Sequence, residues 1–252
     1  MIGKVDRDLA VLNQLGLRAV VALNTHVHAD HVSSSFALRT KVPGCRSAIA
    51  AAAGAAADVC LVDGDAVAFG TRALRVIATP GHTVGCLSFA LDAGGAVFTG
   101  DALLYRGCGR TDFQGGSSTS LFTSVKERLF ALPPETRVFA GHDYNGFSES
   151  TIGEEARFNP RLGAGRTAAD FDAIMAALNL PRPAQIDVAV PANVWDGDAE
   201  RAAKMAAAAA MPALPAAERE DVMEAGRGLP SQCKRCAAVV AEGKAAAAAA
   251  AQ

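Results

Sequence analysis

The chain has 252 residues, with 24 lysines and arginines against 26 aspartates and glutamates, and a formal net charge of -2 at pH 7. Half of the residues are hydrophobic and a fifth are charged, which excludes a disordered chain and allows a sizeable core. The balanced charge predicts no nucleic-acid partner, and no apolar run reaches the ~18 residues of a membrane-spanning helix, so no membrane partner is predicted either. Six cysteines are too few for a disulfide scaffold.

The first predicted element is an amphipathic helix near the start of the sequence. Asp6 and Asp8 lie in its first part, Leu9 and Leu12 follow at helical spacing, and Gly16 comes after the last turn. The segment lacks a basic region followed by a long apolar stretch, so it does not have the pattern of a secretory signal.

Between residues 19 and about 145, short β-branched runs alternate with helical or loop segments. Strands are predicted at 19–23, 74–78, 86–91, 96–99 and 138–140. Apolar residues at helical spacing predict a helix from Leu121 to Leu132, which Pro133 ends. Because strands and helices are interleaved, the sequence predicts a layered α/β domain.

The C-terminal part has a different composition. Residues 150–180 predict two helices around the segment 159–162, and alanine dominates after about Gly197. Alanine favours helix but offers little area to bury, so residues 198–252 are expected to form a weakly ordered tail behind a domain at 1–197. The tail contains one CxxC pair, Cys233 and Cys236, for which half a zinc site, a redox pair and chance are all open; chance is favoured, because no second pair accompanies it.

All five histidines lie beside predicted strand ends or turns. Three belong to the run His26-Val27-His28-Ala29-Asp30-His31, while His82 and His142 each follow a strand, and Asp101 follows another. Any one of these residues alone is usually a surface or core residue. Together they predict a metal centre, because strand ends hold loops rigidly and imidazole with carboxylate suits zinc, iron and similar ions.

This run, followed by His82, Asp101 and His142, resembles the signature of the metallo-β-lactamase superfamily over residues 1 to about 145. The resemblance implies an αββα sandwich with the metal at one edge, and a catalytic domain over 1–197. Further segments are similar to the persulfide dioxygenases, which oxidise glutathione persulfide with O₂ and water to sulfite and glutathione in sulfide detoxification. Those segments are Thr79-Pro80-Gly81-His82-Thr83, Arg106–Gln114, Gly141-His142-Asp143-Tyr144, Asn159-Pro160-Arg161-Leu162 and Pro191-Ala192-Asn193.

The start of the chain departs from the family pattern. Family members generally carry several strands before the first helix, whereas this chain begins at that helix. We therefore expect N-terminal strands to be missing and one sheet to expose an unpaired edge, which favours aggregation. A truncated, catalytically inactive remnant is accordingly one alternative function.

The resemblance leaves two metal arrangements open. A dinuclear site of zinc or mixed metals would use His26, His28 and His142 for one ion, Asp30, His31 and His82 for the other, and Asp101 as a bridge. It would belong to a glyoxalase II-type hydrolase of S-acylglutathione thioesters. Similarity to the dioxygenases instead implies one Fe(II) per chain, with the catalytic ligands His26, His82 and Asp101 and with the remaining residues around them. We favour the single iron, because segment 107–114 resembles the dioxygenases more closely than the hydrolases.

By the same resemblance, Arg110, Tyr144 and Arg161 hold glutathione, since an arginine pairs with a carboxylate through two parallel hydrogen bonds. Cys108 lies in segment 106–114 together with Arg110. For Cys108 we favour a small buried thiol over a catalytic role. The expected partners are glutathione persulfide and O₂, with a homodimer as a further expectation. The expected location is the mitochondrial matrix in a eukaryote and otherwise the cytoplasm.

Overall fold

The protein is described here by a computed structural model that covers residues 4–91 and 94–210. Helices and strands alternate along most of this range. In chain order they are α1 (Val5–Gln14), β1 (Val21–Leu23), α2 (Ser35–Lys41), β2 (Arg46–Ala50), β3 (Val59–Leu61), β4 (Ala66–Phe69), β5 (Arg72–Ala78), β6 (Leu87–Leu91), β7 (Ala96–Gly100), α3 (Ser118–Thr123), β8 (Arg137–Ala140), β9 (Ser150–Thr151), α4 (Ile152–Phe158), α5 (Ala168–Ala176), α6 (Ile186–Val194) and α7 (Ala199–Ala210).

The strands form two sheets. The first has three parallel strands in the order β1-β2-β3, and the second has six strands in the order β4-β5-β6-β7-β8-β9, of which only β7 and β8 are parallel neighbours. The sheets pack face to face through residues such as Ala48 and Leu61 from the first and Val76 and Phe89 from the second. Burial of both inner faces removes apolar surface from water and holds the layers together.

Helices cover the outer faces. The outer face of the second sheet contributes Ile77 and Val97 to a core that also contains Leu121, Phe171 and other helical residues. A π-helical turn, Ser124–Leu129, continues α3 within this layer. On the other side, α2 contacts β1 and β2 of the first sheet. The layers are therefore helix, sheet, sheet and helix, which confirms the predicted α/β sandwich.

The five predicted strands are found as β1, β5, β6, β7 and β8, and the predicted first helix is α1. The sequence analysis did not predict β2, β3, β4 or β9. Two of the five residues of β2 are alanine, which has low strand propensity, and β3 has only three residues, so neither produces a local signal. The strands β2 and β3 form because the second sheet gives their apolar side chains a surface to pack on.

The C-terminal part includes more regular structure than the expected tail. Residues 199–210 form α7, which contacts α6 and buries Ala202. The rest of the predicted tail, including Cys233 and Cys236, lies outside the described residues, so the boundary at residue 197 stays a prediction. None of the described helices is both long and apolar enough to cross a bilayer.

An exposed sheet edge is present among the described residues. The strand β1 has β2 as its one partner there. Phe98 on β7 is in register with Phe89, so both point toward the first sheet, yet Phe98 is 43% exposed. It stacks on Phe139 of β8, with the ring centroids 5.5 Å apart. The three-stranded sheet thus leaves part of the inner face of the second sheet uncovered.

This uncovered face predicts self-association of the chain, because a free strand edge beside exposed aromatic rings favours edge-to-edge pairing. Phe98→Lys should lower the association measured by sedimentation velocity, since it places a charge on that face. Val11→Lys is the control, because Val11 is similarly exposed, at 47%, but lies on α1 and not on a strand. A wild-type chain that remains monomeric at every concentration would contradict this prediction.

Candidate metal centre

Loops at neighbouring strand ends bring all of the predicted ligands together. His26 follows β1, His82 lies in the turn between β5 and β6, Asp101 follows β7, and His142 follows β8. The loop between β1 and α2 adds the other predicted ligands, which are His28, Asp30 and His31. The sandwich thus concentrates metal-binding side chains at one edge, as expected from the sequence.

His26, His82 and Asp101 form the more buried group of potential ligands. Their ligand atoms all lie within 4.8 Å of one another, and Nε2 of His82 is 3.6 Å from Oδ2 of Asp101. Nδ1 of His26 is hydrogen-bonded to Oγ1 of Thr25 at 2.9 Å, and Nδ1 of His82 donates to the carbonyl of Arg110 at 2.7 Å. With Nδ1 engaged, each ring offers Nε2 as the ligand atom.

His28, Asp30 and His31 form a second group beside the first. Oδ2 of Asp30 is 3.1 Å from Nδ1 of His31 and 3.5 Å from Nε2 of His142. The same His142 nitrogen is 3.6 Å from Oδ2 of Asp101. The second group is therefore connected to the first through His142.

Burial and mutual repulsion keep the innermost imidazoles neutral. Burial lowers the pKa of His26 well below its usual value, and the neighbouring histidines lower it further. Burial, followed by repulsion from His31, lowers the pKa of His28 to about 3. A neutral imidazole has a free lone pair, so both residues are in the state that can bind a metal ion.

The carboxylates behave differently from each other. Burial raises the pKa of Asp101, although His82 and His142 oppose that shift. Burial also raises the pKa of Asp30, but the hydrogen bond with His31 and its charge outweigh burial and leave that pKa well below the usual range.

The donor set fits a divalent cation. Nδ1 of His28 is buried without a hydrogen-bond partner among the described residues, and Oδ2 of Asp101 lies 3.6 Å from Nε2 of both His82 and His142. Buried neutral nitrogens beside a desolvated carboxylate are stabilised by a positive ion, which supplies the missing partner. A metal is therefore accommodated by residues of this chain.

Glycines next to the ligands allow the backbone to approach them closely. A Cβ atom at Gly109 would lie 2.6 Å from the carbonyl oxygen of Asp101 and 2.7 Å from Nδ1 of His82. A Cβ atom at Gly141 would lie 2.4 Å from Oδ1 of Asp101. Both glycines lie inside motifs quoted from the sequence, but the close approach itself could not be read from it.

The predicted glutathione-binding residues lie around this centre. Arg110 binds both carboxylate oxygens of Asp112 at 2.6 Å and donates to the carbonyl of Pro181 at 2.7 Å. Tyr144 stacks on His142 with ring centroids 5.5 Å apart and is 78% exposed. Arg161 donates from Nη1 to the carbonyl of Cys108 at 3.1 Å. Tyr144 therefore contacts the centre through its stacking on His142. Arg110 contacts it through its own carbonyl, which accepts from Nδ1 of His82.

Cys108 is buried, and burial raises the pKa of its thiol to about 11. A protonated thiol of this kind is a weak nucleophile, which supports the interpretation as a small buried side chain.

The sequence analysis did not assign a role to the residues that hold the ligand loop. Thr25 orients His26, and Nε2 of Gln114 donates to the carbonyl of Val27 at 2.8 Å. Asn193 contacts the same loop from α6. Thr25 directly precedes the histidine run, and Asn193 ends the segment 191–193. The identity of a polar residue in the sequence does not show which group it will hydrogen-bond to.

Substituting Gly109 by alanine tests the close packing around the ligands. The added methyl group would collide with the backbone of Asp101 and the ring of His82, so we expect weaker Co²⁺ binding and a lower melting temperature. Gly107→Ala is the control, because its Cβ would lie 4.0 Å from the Cβ of Leu104, which is an ordinary contact distance. Co²⁺ titration and thermal unfolding of both variants measure these effects, and equal binding would refute the steric argument.

Comparisons with known proteins identify relatives of this chain. Residues 4–142 match the model of the metallo-beta-lactamase superfamily. The chain is 50% identical over 191 residues to the mitochondrial persulfide dioxygenase ETHE1 of Homo sapiens, which covers 76% of this chain and 74% of that relative. The Bos taurus relative of the same name is 50% identical over 192 residues, with 76% and 75% covered.

Among solved structures, the crystal structure of ETHE1 from Myxococcus xanthus is similar, with a TM-score of 0.75 and 47% sequence identity. That similarity covers 78% of this chain and 86% of the bacterial one. Sequence and structure thus point to the same group of relatives.

Proposed function

The chain belongs to the persulfide dioxygenase family of the metallo-beta-lactamase superfamily, and we propose that it oxidises glutathione persulfide with one Fe(II) ion bound by His26, His82 and Asp101. In the proposed reaction, glutathione persulfide, O₂ and water give glutathione, sulfite and two protons. The terminal sulfur loses four electrons and O₂ gains them. The persulfide dioxygenase activity follows from membership of the family. What we propose is that the metal ion is iron and that glutathione is the thiol that carries the persulfide sulfur.

The observation that carries the one-ion proposal is the grouping of the ligand atoms. His26, His82 and Asp101 form one close group, and His28, Asp30 and His31 form another. A dinuclear hydrolase site would instead combine members of both groups for each ion. The observed grouping favours a triad of two histidines and one carboxylate, which is typical of non-haem iron oxygenases.

The residues of the chain prepare the site in three ways. Thr25 and the carbonyl of Arg110 hold the two imidazoles with Nε2 toward the triad. Burial keeps His26 neutral, while Asp101 contributes a carboxylate oxygen beside it. When bound, iron supplies the redox chemistry by which O₂ reacts, and this ligand set leaves coordination positions open.

Arg161 supports the assignment of the carrier. Its guanidinium is held at one end by the carbonyl of Cys108, and among the described residues no carboxylate pairs with it. Arg110, by contrast, is already paired with Asp112 on both oxygens. We therefore assign Arg161 as the main partner of a glutathione carboxylate, with Arg110 and the exposed phenol of Tyr144 as further contacts.

Protein purified without oxygen should contain about one iron per chain, because the triad binds one ion. Asp101→Ala should lose iron and persulfide-dependent O₂ consumption together, since two imidazoles alone make a weak site. Asp8→Ala, at an exposed carboxylate on α1, is the control and should keep both. Metal analysis and an oxygen electrode measure the two quantities on the same samples.

Two alternatives predict other results for these samples. Two equivalents of zinc with thioester hydrolysis would support a glyoxalase II-type hydrolase. Bound metal without either activity would support an inactive remnant. Iron retained in Asp101→Ala would show that the carboxylate ligand is misassigned.

Arg161→Ala should raise the apparent KM for glutathione persulfide about tenfold to a hundredfold, because it removes a charge-assisted pair worth roughly 1.5–3 kcal/mol. Iron content should not change, because Arg161 touches no proposed ligand. Arg161→Lys should recover part of the loss, since an ammonium group cannot form two parallel bonds. Arg157→Ala serves as the control, because Arg157 is exposed on α4. An unchanged KM in Arg161→Ala would make Arg161 an ordinary surface charge.

The cellular setting follows from the same relatives. The two mammalian relatives are mitochondrial. We therefore place the protein in the mitochondrial matrix if its source is eukaryotic, where it would serve sulfide detoxification, and in the cytoplasm otherwise. Immunofluorescence of the natural protein together with a matrix marker tests this assignment.

A further inference from the structure

Asn193, a buried residue on α6, holds the loop that carries His28, Asp30 and His31. We infer that Asn193 is a positioning residue for the metal centre and that its side-chain amide fixes the shape of this loop. The inference rests on the proposed function only in that the ion bound at this centre is taken to be the catalytic one.

Three hydrogen bonds connect the Asn193 amide to the loop. Nδ2 donates to the carbonyl of His28 and to the carbonyl of His31, both at 2.8 Å. Oδ1 accepts from the backbone N–H of Ser33, also at 2.8 Å. Asn193 itself is only 5% exposed, so these loop groups have little access to water. One side chain therefore satisfies three backbone groups of the ligand loop.

The pattern of donors and acceptors requires an amide. Two carbonyl oxygens and one N–H face the side chain, and asparagine offers two donors and an acceptor in a planar group of the right size. An aspartate of the same shape would turn a negatively charged oxygen toward two carbonyl oxygens. An alanine would leave all three backbone groups without that partner.

The helix that carries Asn193 is itself well anchored. Val32, next to the ligand loop, packs on Ala189 and Ala192 of α6. The carbonyl of Val194 accepts from the N–H of Ala56 at 2.8 Å, which ties the end of α6 to the segment after β2. A rigid helix therefore transmits its position to the loop through the amide.

The loop in turn touches the triad at two points. The ring of His28 lies against the ring of His26, with centroids 4.1 Å apart. Asp30 is connected to Asp101 through His142, whose Nε2 is 3.5 Å from one carboxylate and 3.6 Å from the other. Loss of the amide would free the carbonyls of His28 and His31 to turn toward water. That movement would displace His28 and Asp30 and thereby disturb the triad.

The test compares Asn193→Ala and Asn193→Asp with the wild-type chain, using Co²⁺ as the probe ion. Competition with a chelator gives the Co²⁺ dissociation constant, and the visible absorption spectrum of bound Co²⁺ reports the ligand geometry. Both variants should bind Co²⁺ about 10- to 100-fold more weakly, which is the usual effect of losing a residue that orients a ligand. Asn193→Asp should be at least as impaired as Asn193→Ala although it keeps the size and shape of the side chain, and the Co²⁺ spectrum should shift in both.

A stability control separates positioning from folding. Ile152, the first residue of α4, is a core residue far in sequence from the ligand loop. Ile152→Val removes one methyl group from this core, so it should lower the melting temperature without changing the Co²⁺ dissociation constant or the Co²⁺ spectrum. Melting of the metal-free variants gives the stability that each one has lost. If Asn193→Asp binds Co²⁺ as tightly as wild type, or if Ile152→Val loses as much affinity at equal stability, the inference is wrong.

Steady-state kinetics of the iron-loaded enzyme adds a second discriminating readout. Because Asn193 touches the metal loop and none of the assigned glutathione contacts, kcat should fall while KM for the persulfide stays unchanged. The wild-type metal content and reaction test the proposed function, whereas the ratio of variant to wild-type Co²⁺ affinity tests the role of Asn193. The two can therefore fail independently.

Discussion

The structure depends on keeping a cluster of imidazoles and two carboxylates together at the edge of a sandwich. The ring centroid of His26 lies 4.1 Å from that of His28 and 4.8 Å from that of His82, and burial is the main cause that lowers the pKa of His26 and His28. Such a cluster is costly without a cation, because its polar atoms are out of water and its protonation is suppressed. The surrounding fold offsets this cost by giving the outward-facing polar atoms fixed partners.

Except for Thr25, which directly precedes His26, those partners come from parts of the chain that are distant in sequence. The hydroxyl of Thr25 orients the ring of His26, and the carbonyl of Arg110 orients the ring of His82. The side-chain amides of Gln114 and Asn193 hold the loop that carries the ligands. Glycines at positions 109 and 141 let the backbone come within contact of Asp101 and His82. The metal centre is thus determined as much by backbone positions around the ligands as by the ligands themselves.

The architecture explains why the ligands meet and why one side of the molecule is left exposed. In the second sheet β5, β7 and β8 run in the same direction and end at the same edge, so the loops after them converge there with the loop after β1. The first sheet has only three described strands, whereas the second has six, and Phe98 on the inner face of the wider sheet remains accessible. The same two-layer packing therefore produces both the site and an edge that invites association.

The sequence by itself determined the α/β class, five of the strands, the first helix and the set of candidate metal ligands, because β-branched periodicity and a dense histidine run are local signals. The family resemblance already grouped His26 and His82 with Asp101, and the structure brings these three side chains together. Only the tertiary structure decided the pairing of Arg110 with Asp112 and the contact of Asn193 with the loop 160 residues away in sequence. The alanine-rich β2 also needed the second sheet before it became a strand. Distances between residues remote in the chain depend on how the layers pack, and no local pattern encodes that packing.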